Sequence, residues 1–262
     1  MPAQLEQSRL SVRQFAERFR GEMIPLSTTI SYFCASTPLT EEDMKEYLEE
    51  PVAALPLSIS QVLPKISILL VPYLERGHAH VKKAETAHQK SGEETAGDFV
   101  SIERPPQGRQ FASTHLKLGE ETVLVFALKE QEVAEYHYRF YHLLASLMGE
   151  RCSAEQMELY CRGLREEMNV DVHGEVDEPS WRLKQGLKRG RGAKDSKAFR
   201  QYARNSFIDT LTLYLHGICC DIDVDMGPRQ LPSRYLRKRL VVLQEMFPPP
   251  NGYAIFPEQL EP

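Results

Sequence analysis

Cysteine is scarce in this chain: five of 262 residues, at 34, 152, 161, 219 and 220. The number is odd, the spacing uneven and no Cys-x-x-Cys pair occurs, which excludes a disulfide scaffold and makes reduced thiols the expected state. The adjacent Cys219 and Cys220 read first as two buried thiols near a helix end, with a strained vicinal disulfide or a bound metal as the alternatives. Long apolar runs are missing too. The longest, ISILLVPYL at 66–74, is about half of what a membrane-spanning helix needs, so no membrane partner is expected. The charged first residues, MPAQLEQSRLSVRQFAERFRGE, lack the apolar stretch and small-residue cleavage site of a secretory signal, and a cytoplasmic protein is expected.

Catalytic signatures are absent as well. The chain has no Gly-x-Ser-x-Gly elbow, phosphate-binding loop, dinucleotide fingerprint or His-Glu-x-x-His pair, and KRGRGAK carries glycines without phosphate-loop spacing. No period of 20 to 50 residues recurs, which argues against a solenoid or propeller. A hydrophobic share of 42% suffices for a sizeable core, and 26% charged residues is not the composition of disorder.

The elements predict an α+β fold: a small antiparallel sheet over about 66–128 packed with a mainly helical C-terminal half, as one domain with a subdivision near 129. Helices are expected over 9–23 and, capped by Thr40, over 40–50, after which Pro51, Pro56 and Pro64 break the chain. ISILLVPYL, FVSIER, QFASTHLKL and TVLVFAL read as strands, the last two joined as a hairpin through Gly119, Glu120 and Glu121. Residues 77–98 lack apolar periodicity and read as a mobile loop, whose His78, His80 and His88 make at most a weak metal-binding tract. Val133, His137, Phe140, Leu144 and Leu147 form one helical stripe with a core histidine inside it. His142, five residues on, is about 140° away around the helix and cannot share a ligand with His137. Ser153 and Gln156 make a capping box. Phe199, Ala203, Phe207, Leu211, Tyr214 and Ile218 mark the strongest helix, and Leu236, Leu240, Leu243 and Phe247 the last, stopped by three prolines.

What stands out is charge segregation. Residues 182–204 carry nine Lys or Arg and one Asp, a formal +8 in a chain of net charge -5. Blocks of like charge attract counter-charged surfaces, so Arg182, Lys184, Lys188, Arg189, Arg191, Lys194, Lys197 and Arg200 are the candidate partner-binding residues. The segment reads as a dock for an acidic protein surface (this chain's own 155–178 stretch included), as a nucleic-acid contact, or as a solvated loop. Two acidic-histidine clusters offer metal chemistry. In DVHGEVDEPSW, His173, Glu175 and Asp177 would pair a general base with a cation; the plainer reading is a solvated acidic linker that serves as counter-charge to the basic segment. In LYLHGICCDIDVD, His216 and Cys220 precede Asp221, Asp223 and Asp225, but His216 falls with Asn205, Asp209 and Thr212 on what reads as a polar helix face. The leading expectation is a non-enzymatic interaction or regulatory protein without a cofactor. The alternatives are a hydrolase using a divalent metal on His173, Glu175, Asp177, His216, Asp221 and Asp223, and a nucleic-acid-binding protein. Nothing in the sequence speaks to oligomeric state.

Overall fold

Capping boxes set the first helices. Ser11 Oγ accepts from the Gln14 amide at 3.2 Å while the Gln14 side chain accepts from the Ser11 amide at 3.1 Å, starting α1 (Val12–Phe19). The computed structural model describes residues 10–35, 39–77, 97–129, 131–190, 196–220 and 229–256, and divides into two compact units, 1–49 with 63–139 and 50–62 with 140–262.

In the first unit, β1 (Ile24–Pro25) and β2 (Ile30–Cys34) precede a second boxed start, Thr40 with Asp43, at α2 (Glu41–Met44). A π-helical turn at Lys45–Glu49 leads into α3 (Glu50–Ala53) and then α4 (Leu57–Val62), which belong to the second unit. The apolar run of 66–74 forms β3 (Ile66–Val71) and β4 (Tyr73–Glu75) either side of Pro72, followed by β5 (Phe99–Ser101), β6 (Gln110–Phe111), β7 (Ser113–Leu118) and β8 (Glu121–Ala127). The α+β class is as expected, and the three-stranded sheet β5-β4-β6 is antiparallel. The larger sheet, β1-β2-β3-β8-β7, is mixed: β2, β3 and β8 run parallel, and β1 and β2 extend it back to residue 24.

Every residue of β3 is buried, so both faces of this central strand are covered and its sequence shows no alternation. One face carries Leu69, Val71, Val123, Val125, Ala127, Leu116 and Leu118, packed with Val12, Phe15 and Ala16 of α1. The register Leu69↔Val125 and Leu116↔Val123 places these side chains side by side. Of the loop expected over 77–98, residues 78–96 lie outside the described residues. Its ends meet closely: a β-carbon on Gly77 would lie 2.1 Å from the Gly97 carbonyl oxygen.

The long helix α5 (Val133–Arg151) starts in the first unit and continues into the second. His137 is buried on the expected stripe, and its Nε2 bonds the Glu46 carbonyl at 2.7 Å. His137→Leu should therefore destabilise by about 1 to 3 kcal/mol, the cost of leaving a part-buried carbonyl without its donor. A neutral or stabilising result in urea unfolding would discount that bond. Phe140, fully buried, begins the stripe's part in the second unit, and Phe140→Ala should cost about 3 to 5 kcal/mol by the same measurement.

Four more helices complete the second unit: α6 (Ala154–Asn169), opened by the Ser153–Gln156 capping box; α7 (Glu178–Gly190); α8 (Lys197–Cys219), capped by Ser196; and α9 (Ser233–Met246). The stripes of α8 and α9 are buried as their periodicity predicts. The face of α8 read as polar is buried as well: Asp209, Thr212 and His216 are at most 8% exposed. That expectation is corrected for these three residues, because the later turns of α8 are covered on this face as well and must seat their polar residues against partners from other elements. No helix among the described residues is long and apolar enough to cross a membrane.

Candidate functional site

The backbone between α6 and α7 is shaped to drive one carboxylate inward. Asp171 and Gly174 take positive φ, 54° and 82°. A β-carbon on Gly174 would lie 2.1 Å from the Gln230 carbonyl oxygen, a contact only glycine permits. The Glu175 amide donates to the Arg229 carbonyl at 3.0 Å, and the Leu231 amide returns a bond to the Glu175 carbonyl at 3.1 Å. This clamp points the Glu175 side chain into the helices, where it is 1% exposed.

There it meets Arg239 of α9 and Lys184 of α7. Arg239 Nη1 lies 2.7 Å from Glu175 Oε2 and Nη2 2.9 Å from Oε1; Lys184 Nζ lies 3.0 Å from Oε1, and the Tyr202 hydroxyl donates to the same oxygen. On its other side Arg239 grips Glu167 of α6, Nε to Oε1 at 2.9 Å and Nη2 to Oε2 at 2.5 Å, and a further Nη1 bond reaches Ser206 Oγ at 2.8 Å. All five guanidinium hydrogens are thereby used. Lys184 also donates to the Gly174 carbonyl at 2.8 Å. The Tyr160 hydroxyl joins Ser206 to Thr210 Oγ1, the latter at 2.7 Å. Burial alone would raise the Glu175 carboxyl, but Arg239 and Lys184 outweigh it and hold the group down at about 2. Two carboxylates and two cations balance in charge, so the cluster is a closed lock among five elements: it holds α6, α7, α8, α9 and the 170–177 connection and presents no unengaged acid or base to a substrate.

Asp209 on α8 is the exception. Burial raises its carboxyl to about 7, with Asp177 and Glu175 adding to the effect, and the Ser180 hydroxyl donates to it. At 7% exposure, with the neutral Ser180 hydroxyl as a donor, this carboxyl keeps its proton up to about pH 7.

The sequence-derived basic residues separate by environment. Lys184 is fully buried, Lys188 pairs with Asp171 at 2.5 Å, and Arg182 pairs with Glu178 at 2.9 Å, so the acidic 171–178 stretch neutralises the start of the basic segment. Arg189 lies in the last turn of α7; Arg191 and Lys194 lie outside the described residues. Lys197 and Arg200 are exposed on the first turn of α8, which carries no acidic residue. Of the metal set, His173 is exposed, Asp177 is half-buried and accepts from the Glu178 amide at 2.7 Å, and His216 is buried with its ring 6.1 Å from that of Tyr141. Asp221 and Asp223 lie outside the described residues. An ion at Glu175 would have to displace Arg239 and Lys184.

Sequence reasoning missed Glu167, Arg239, Tyr160, Tyr202, Ser206 and Asp209. The one available signal was Arg239 sitting one residue before Leu240 on the buried side of α9, a cation where an apolar residue was due. In the first unit, a depression lined by Arg20, Thr28, Ser31, Lys65 and Glu121 is open to solvent. Glu121 there is tied to Arg20 at 3.1 Å and to the Ser67 hydroxyl. In comparisons with protein-family models, with curated proteins and with solved structures, nothing matches this chain.

Proposed function

We propose that this is a cytoplasmic protein that works by binding, and that the later part of its basic segment, Arg189 to Arg200, engages an acidic protein surface. The observation that carries this reading is the start of α8. A helix N-terminus already bears partial positive charge, and here Lys197 and Arg200 add to it with no acidic residue in the first turn to offset them. The earlier cations of the segment, Arg182, Lys184 and Lys188, have partners within the chain and drop out of the proposed surface. The exposed Arg234 and Lys238 on α9, stacked over Tyr235 at 4.7 and 5.6 Å, are further cations of the same unit.

The test compares binding of an immobilised polyglutamate chain and of duplex DNA by the wild type and by the triple variant Arg189→Glu, Arg191→Glu, Lys194→Glu. The variant should fold normally, since none of the three is among the residues of the buried lock, and should lose polyglutamate binding. DNA contacts would weaken by orders of magnitude between about 50 and 200 mM salt as condensed counterions are released. Tight DNA retention at physiological salt that vanishes in the variant would favour the nucleic-acid reading. An unchanged binding profile would leave the segment a solvated loop.

A further inference from the structure

The polar lock and the basic surface leave one reactive pair unused, at the far end of α8. The helix ends at Cys219, and Cys220 leaves it in extended conformation (φ -136°, ψ 148°) while its amide still bonds the His216 carbonyl at 2.9 Å. Both residues are half-buried, and neither is in a disulfide. Their sulfur atoms lie within 4.8 Å of one another. The Cys220 thiol and the Tyr141 hydroxyl both lie within hydrogen-bonding reach of Cys219 Sγ. Tyr141 is itself fully buried and anchored through a 3.1 Å bond to the Pro51 carbonyl. Ile218 and Leu215 beside the pair are buried and apolar.

We propose that Cys219 and Cys220 form a two-thiolate site for a soft, low-coordinate metal ion of the cuprous kind. Adjacent residues hold their α-carbons about 3.8 Å apart, below the roughly 4.4 to 6.8 Å that an unstrained disulfide spans, so oxidation to each other is disfavoured and the pair persists as a dithiol. A metal–thiolate bond is about 2.3 Å, so one ion bridges sulfurs up to about 4.6 Å apart, and two sulfurs already within 4.8 Å of one another need little movement to hold it. Thiolates select Cu(I), zinc and iron–sulfur clusters over hard cations. Zinc completes a tetrahedron of four ligands, of which the pair supplies half, whereas cuprous ion is satisfied by two thiolates. The half-buried setting leaves an entry path and limits competing water.

The experiment uses the reduced full chain under anaerobic conditions, titrated with Cu(I) delivered from a coloured chelator, with alkylation by iodoacetamide mapped by mass spectrometry before and after loading. One equivalent should bind, with a near-ultraviolet thiolate-to-copper band. Cys219 and Cys220 should become protected from alkylation while the half-buried Cys34 and Cys152 react as before. Equal alkylation of 219 and 220 with and without copper, or protection centred on other cysteines, overturns the proposal. Cys219→Ser and Cys220→Ser, each checked by its melting curve, should lose the bound equivalent, and Cys34→Ser should keep it. Retention by either folded serine variant also overturns the proposal, and if a variant does not fold the alkylation map of the wild type decides.

Discussion

Replacing Arg239 by methionine should lower the stability of the second unit by about 3 to 5 kcal/mol, because it strands Glu167 and Glu175, 5% and 1% exposed, with Lys184 as the remaining cation of the lock. The loss comes from the unpaired carboxylates more than from the missing attraction, since two buried charges cost several kcal/mol each to hold without partners. Arg239→Lys should recover little of it. Lysine offers a single ammonium in place of a planar fork, and five acceptor contacts from one side chain cannot be rebuilt on it. The chain's one tryptophan, Trp181, lies on α7 beside Lys184 and Ser180, so its fluorescence during guanidinium unfolding reports on this unit. A loss under about 1 kcal/mol would place the cluster with ordinary surface ion pairs.

The second large effect concerns pH. Asp209 has its carboxyl raised to about 7 in the folded chain against 3.8 for an ordinary aspartate, chiefly by burial. Between those values the folded state holds a proton that the unfolded state has released. Stability therefore falls as pH rises through the window from about 4 to 7 and levels off above it, by up to about 4 kcal/mol. Asp209→Asn keeps an acceptor for the Ser180 hydroxyl and removes the ionisable group. The variant should match the wild type near pH 4 and exceed its stability by several kcal/mol at pH 8. Stability curves that stay parallel from pH 4 to 8 would show that Asp209 does not titrate in this window. Glu175 works in the opposite direction: held at about 2, its contribution is fully present above about 4.5 and fades as pH falls toward 2.

Local rules carried the reading of elements a long way. Ser153 and Gln156 announced the start of α6, since a cap needs four consecutive residues and no tertiary help. The β7–β8 hairpin followed from Gly119, whose φ of 65° lets the chain reverse directly between Leu118 and Glu121. Apolar periodicity marked the core faces of α5, α8 and α9 for the same reason. The parallel pairing of β2 with β3 escaped it, because a parallel partner arrives from 36 residues away and β2, ISYFC, is too short to signal itself.

What the sequence determined by itself was therefore the class of fold, the helix starts and stripes, and a basic block beside an acidic one. Only the tertiary structure decided which of those charges face water. Glu175 and Lys184 are nine residues apart and read as surface, yet both are buried, because Arg239, 64 residues beyond Glu175, and Glu167, 72 residues before Arg239, complete their hydrogen bonds. A charge can leave water only where its partners converge from several elements at once, and that convergence is a property of packing that no local pattern encodes.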